Sequence, residues 1–123
     1  MSVMEARAIS KYVRISPQKV RKVVGTSSNI VIKRGVFPGT TTGLENNRFA
    51  LVSLDMDKYE AMLEGWRFFY PRMSKGGFIF VHDFNSTESQ WGTYRATTEF
   101  LSDKPERIIE LPDRRGSALI RKV

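Results

Sequence analysis

Residues 49–57, Phe49-Ala50-Leu51-Val52-Ser53-Leu54-Asp55-Met56-Asp57, decide how the rest of the chain is read. A short apolar run ends abruptly in two acids. A second run, Phe78-Ile79-Phe80-Val81-His82-Asp83, ends the same way. Each run is long enough for a strand and too apolar to face water on either side, so both are expected inside a parallel sheet. Between them, Tyr59, Met62, Leu63, Trp66, Phe69 and Tyr70 recur at helical spacing. That is one apolar face of a helix about three turns long, with Pro71 as its stop. Asp57 is the expected N-cap of this helix, and Gly76-Gly77 the expected turn into the second strand. Strand, helix, strand is a βαβ unit with a right-handed crossover.

In open parallel sheets, ligands bind outside the carboxyl ends of the strands. Asp55, Asp57, His82 and Asp83 are therefore the candidate site residues. Carboxylates at adjacent strand ends suit a divalent cation, because magnesium and calcium prefer oxygen ligands. An imidazole beside them shifts the preference towards manganese, iron or zinc. A carboxylate next to such an ion, Asp55 here, is a candidate general base. The plainer reading is that an Asp at a strand end is a cap or a turn residue.

The flanks supply the remaining elements. Asn85 to Gln90 is a polar loop, and Thr93 to Leu101 an expected helix with Tyr94, Thr97, Thr98 and Leu101 on one side. Arg107–Leu111 and Ser117–Arg121 are expected strands of an antiparallel hairpin at a sheet edge, with turn residues Pro112, Asp113 and Gly116 between them. Upstream, Ile30-Val31-Ile32 reads as a short β-branched strand, followed by a flexible loop from Gly35 to Gly43. The glycines of that loop form neither a G-x-G-x-x-G fingerprint nor a P-loop. Ser16-Pro17 is a strong helix start. Val20, Val23 and Val24 then form a stripe, and Gly25 a stop. Ala6–Val13 is an expected strand before this helix.

Length and charge bound the class. The chain has 123 residues, is 41% hydrophobic and has no cysteine, which fits one globular domain without disulfides or thiolate metal sites. No apolar run approaches the roughly 20 residues of a membrane span, and the start of the chain lacks a signal peptide's apolar core. A cytoplasmic location is the resulting expectation. The net charge is +7. Residues 1–25 hold six of the basic side chains, Arg7, Lys11, Arg14, Lys19, Arg21 and Lys22, against the single acid Glu5. Such a basic arm is a candidate contact for nucleic-acid phosphates.

Two resemblances follow from these segments. Residues 4–24, MEARAISKYVRISPQKVRKVV, resemble the N-terminus of the large-subunit ribosomal protein L-twenty-two. The resemblance implies an RNA-binding segment. Residues 30–123 resemble the C-terminal half of the macrocin and mycinamicin sugar O-methyltransferase family. The pieces that carry it are IVIKRGVFPGT, RFALVSLDMDKYEAMLEGWRFFYPRMSKGGFIFVHDF and GSALIRK.

This second resemblance implies a partial Rossmann-like methyltransferase sheet with a C-terminal antiparallel hairpin, preceded by a short basic strand-helix segment. It implies S-adenosylmethionine and magnesium as cofactors, a sugar-bearing acceptor, and metal ligation by Asp55 and Asp83. His82 stands where the family usually has a further acid. Two domains are the expectation: 1–25, basic and ribosomal-protein-like, and 26–123, methyltransferase-like. The family's cofactor-binding Gly-rich turn does not appear in residues 1–29. Three readings follow: a truncated methyltransferase domain inactive alone, an RNA-binding module, or a fused chain.

The resemblance also implies that strands are missing between Ile30–Ile32 and Phe49–Leu54, which would leave an apolar edge to be covered. Ala6–Val13 filling the gap with helix Pro17–Val24 as a replacement crossover is one expectation. Direct pairing of Ile30–Ile32 beside Phe49, or a homodimer through the edge, are the others.

Overall fold

The computed structural model describes residues 16–87 and 90–123. The chain divides into two compact units, 1–36 and 37–123. The described part of the first contains helix α1, Pro17–Val24. Its start follows the expected chemistry: Ser16 Oγ accepts the Lys19 N–H at 3.2 Å, and Pro17 takes the first helical position. Gly25, with φ of 93°, closes it by donating its N–H to the Arg21 carbonyl at 2.8 Å. No residue of α1 is buried, and Val23 is 87% exposed. Of the valine stripe, Val23 and Val24 are exposed and Val20 is half-buried. The expected strand Ala6–Val13 lies outside the described residues.

In the second unit, β1 (Phe49–Leu54) leads to α2 (Tyr59–Phe69), and a 3-10 turn over Tyr70–Arg72 leads into β2 (Met73–Val81). Helix α3 (Gly92–Leu101) and strands β3 (Ile108–Glu110) and β4 (Ala118–Arg121) follow. The sheet order is β1-β2-β4-β3. β1 and β2 are parallel, with Val52 beside Ile79 and Leu54 beside Val81. The pairs β2–β4 and β3–β4 are antiparallel. The βαβ unit and the closing hairpin therefore stand as expected, the hairpin strands within a residue or so at each end.

One face of the sheet carries Val52, Leu54, Ile79, Val81, Ala118 and Ile120, all buried. Helices α2 and α3 contribute Met62, Trp66, Ala96 and Leu101 to the same core. The buried Trp66 Nε1–H donates to Thr97 Oγ1 at 3.0 Å, so the largest core side chain keeps its polar atom satisfied. The buried side of α3 is Thr93, Ala96, Thr97 and Leu101. Tyr94, expected on the same side as Thr97 and Leu101, is instead exposed. Thr93 takes an inward place by donating to the Met56 carbonyl at 3.0 Å.

Several expectations are corrected. Ile30–Ile32 form no strand and do not pair beside Phe49; Val31 is exposed. Three β-branched residues favour extended backbone, but without a ladder partner they make no sheet. Gly76-Gly77 are not a turn before β2 but a bulge within it, since the register jumps from Phe49 opposite Met73 to Leu51 opposite Phe78. Gly76 has φ of 80°. At Gly77 a Cβ would fall 2.8 Å from the Ala50 carbonyl, so only glycine allows this close approach.

Burial on both faces also fails. Leu51 is 69% exposed, and Ser53, Phe78 and Ile109 are exposed on the same side. β1 is an edge strand among the described residues, and the helices of the second unit cover the other face.

Candidate functional site

The parallel ladder runs one bond past the strands. The His82 N–H donates to the Leu54 carbonyl at 2.9 Å. This bond sets Asp55, the residue after β1, beside His82 and Asp83, the residues after β2. One ligating atom from each of the three lies within 4.8 Å of the others. His82 Nδ1 stands 3.2 Å from Asp55 Oδ1 and 3.0 Å from Asp83 Oδ2. Asp83 has φ of 54°, in the left-handed region that a short polar side chain tolerates better than most. It is only 8% exposed, whereas His82 is half-buried and Asp55 open to solvent.

Within this cluster His82 Nδ1 and Asp83 Oδ1 are buried and make no hydrogen bond. The Nδ1-to-carboxylate distances are within ion-pair reach, but neither pair is hydrogen-bonded. Buried polar atoms are nearly always partnered, so two orphans in one cluster need an explanation. Donor atoms converging from three side chains are the arrangement a divalent cation satisfies. The residues present therefore fit a cation: Asp55, His82 and Asp83 would hold it, and the exposed side of Asp55 leaves room for further ligands.

Asp57 does not join this cluster, and it is not the cap of α2. Lys58 occupies the N-cap position and its side chain makes no capping bond. Asp57 instead lines an open groove of ≈ 440 Å³ with Lys58, Tyr59, Glu60, Gln90, Gly92 and Arg95. A Cβ on Gly92 would fall 2.9 Å from the Tyr59 nitrogen, so glycine lets α3 begin against the start of α2. The Arg95 guanidinium lies 5.0 Å from the Tyr59 ring centre and 3.8 Å from the Glu99 carboxylate. The Tyr59 hydroxyl donates to Glu99, and that bond holds the phenol above its ordinary pKa. Sequence reasoning missed Gln90, Gly92 and Arg95. Gly92 alone left a trace, as the residue before an expected helix.

Of the basic arm, Arg7, Lys11 and Arg14 lie outside the described residues. Lys19, Arg21 and Lys22 sit on α1. No helix among the described residues is long and apolar enough to cross a membrane.

This mixed sheet, with parallel strands ending in acids, helices on one face and an antiparallel closing hairpin, matches part of a methyltransferase fold. The structure matches that of the O-methyltransferase NovP with a TM-score of 0.80 at 20% identity, covering 98% of this chain and 50% of NovP. Apo CalS11, a TDP-rhamnose 3′-O-methyltransferase of calicheamicin biosynthesis, matches at a TM-score of 0.52 and 23% identity, over 60% of this chain and 31% of CalS11. A further CalS11 structure matches at 0.51 and 23%, over 60% and 28%. The chain thus spans half the length of NovP and about a third of CalS11. At these identities the likeness is one of fold.

The family model for macrocin O-methyltransferases (TylF) matches residues 4–108, and the chain belongs to that family. No curated protein matches the sequence. The family match takes in residues 4–24, so it lends no support to a ribosomal-protein reading of that segment.

Proposed function

We propose that this chain carries the cation-holding and acceptor-activating side of an S-adenosylmethionine-dependent sugar O-methyltransferase site. The observation that carries the reading is the convergence of Asp55, His82 and Asp83, with a buried unpartnered atom on each of the last two. A bound divalent cation would lower the pKa of a sugar hydroxyl placed on it. Asp83 is the buried anchor of the cluster. Asp55, exposed beside it, is the group placed to accept the hydroxyl proton, and the acceptor class is a sugar-bearing small molecule.

S-adenosylmethionine itself is a different matter. The sequence of residues 1–29 contains no Gly-x-Gly and no described strand ends in one, so the cofactor's pocket is not expected from these residues. Methyl transfer by this chain alone is therefore expected to be undetectable. The RNA-binding alternative has only the charge of the basic arm behind it.

Titration calorimetry of the 123-residue chain tests the reading. One equivalent of a divalent cation is expected to bind, and Asp83→Asn to abolish it. A chain that binds no divalent cation, or an Asp83→Asn variant that binds as well as its parent, ends the proposal.

A further inference from the structure

The geometry points to a nitrogen-ligated, six-coordinate transition ion of the manganese or ferrous class as the cation of this site, with magnesium disfavoured. The inference rests on the cation reading above and adds the identity of the ion. Three observations carry it.

The first is the donor set. Magnesium and calcium are held by oxygen, while an imidazole ligand suits first-row transition ions. The central atom of this cluster is a nitrogen: His82 Nδ1 lies between Asp55 Oδ1 and Asp83 Oδ2. Two carboxylates and one imidazole are a mixed set at which oxygen-preferring and nitrogen-preferring ions overlap, and manganese and ferrous iron lie in that overlap.

The second is spacing. Two bonds of about 2.1 Å at right angles put their donor atoms about 3.0 Å apart. Tetrahedral bonds of the same length put them about 3.4 Å apart, as do calcium bonds of about 2.4 Å at right angles. The Nδ1–Asp83 separation of 3.0 Å matches the octahedral edge, and the Nδ1–Asp55 separation of 3.2 Å lies midway between the two spacings. The shorter contact favours the octahedral arrangement, which magnesium, manganese and ferrous iron share, so the choice among them falls to the nitrogen donor.

The third is the state of the nitrogen. Nδ1 is buried and hydrogen-bonded to neither carboxylate. A buried ring nitrogen without a partner, set between two carboxylate oxygens, is an atom that a metal ion would satisfy.

The experiment is pulsed electron paramagnetic resonance on the full chain loaded with Mn2+, alongside competition between Mn2+ and Mg2+ measured by calorimetry. Nitrogen-14 modulation from a directly bound imidazole is expected, and it should vanish in His82→Asp. In His82→Asp, whose third ligand is again a carboxylate, the Mn2+-over-Mg2+ affinity ratio is expected to fall by about tenfold. Bound Mn2+ without nitrogen modulation overturns the inference while leaving the cation site intact. A Mn2+-over-Mg2+ ratio unchanged by His82→Asp overturns it equally. The spectrum of the unmutated chain decides the matter even where the variant fails to fold. Absence of any bound divalent cation, by contrast, removes the site reading beneath it.

Discussion

Asp83 and Glu106 are both nearly sealed from water, at 8% and 6% exposure, and the protein treats them in opposite ways. Glu106 is surrounded by donors. Tyr70 Oη donates to it at 2.6 Å, Lys122 Nζ at 2.8 Å and the Val123 N–H at 3.3 Å. Burial works to raise its pKa, but the bonds from Lys122, Tyr70 and the backbone outweigh burial and bring it down to about 2. The Tyr70 hydroxyl is pushed up, by burial first and then by its bond to Glu106. Lys122 also lies 4.6 Å from the Tyr70 ring centre. Nothing in this clamp is left over. Asp83, by contrast, keeps one oxygen without a partner and faces a ring nitrogen in the same condition. A buried acid that is fully bonded holds the fold together. A buried acid that is not fully bonded is available for a ligand.

The largest effect that can break this contrast is on folding stability. Lys122→Met strands the Glu106 charge in the core and is expected to cost about 3–5 kcal/mol in urea unfolding. Asp83→Asn strands no charge and is expected to cost less than about 1 kcal/mol, since Asp83 Oδ1 has no hydrogen-bond partner among the described residues. Equal losses in the two variants would mean that Asp83 is structural after all.

Acid unfolding comes next. Folding lowers the Glu106 pKa from 4.5 to about 2, so the folded state favours the ionised form. Its contribution is fully present above about pH 4.5 and fades as pH falls towards 2, a loss on the order of 3 kcal/mol. Stability measured between pH 5 and 2 should fall along this limb, and Glu106→Gln should flatten it. A variant that keeps the full slope would show that other carboxylates carry the acid sensitivity.

Cation-linked stability sharpens the other half of the contrast. At Mn2+ a hundredfold above its dissociation constant, the parent chain is expected to gain about 2.7 kcal/mol. Thermal melts of Asp83→Asn should show no such gain. A gain retained in that variant would locate the ion elsewhere.

The two carboxylates also differ in how far sequence reveals them. The strand-end cluster was legible because parallel strands joined by a helix must end side by side, and Asp55, His82 and Asp83 follow those ends directly. The Glu106 clamp was not. It joins Tyr70, Glu106 and Lys122 from three separate segments, and no local pattern announces a contact of that range. The bulge at Gly76-Gly77 was misread because two adjacent glycines serve a turn and a close backbone approach equally well. The open face of β1 was misread because apolar content reports a tendency to be covered, while Leu51 lies on a face that the helices of its own unit leave bare. Ile30–Ile32 shows the same limit, since β-branched residues make a strand only when a partner is present.

Asp57 gives the smallest and most discriminating test. By sequence it stands with Asp55 as an acid at the same strand end. In the structure it lines the groove beside Tyr59 and Arg95 and takes no part in the convergence of Asp55, His82 and Asp83. It is exposed and caps no helix. Asp57→Asn should therefore change stability by less than about 0.5 kcal/mol. It should also shift Mn2+ affinity only slightly, through loss of one nearby screened charge. Calorimetry on Asp57→Asn beside Asp83→Asn measures both. A loss of affinity as large as that in Asp83→Asn would extend the ion site into the groove, and the unpartnered atoms of Asp83 and His82 would no longer mark its boundary.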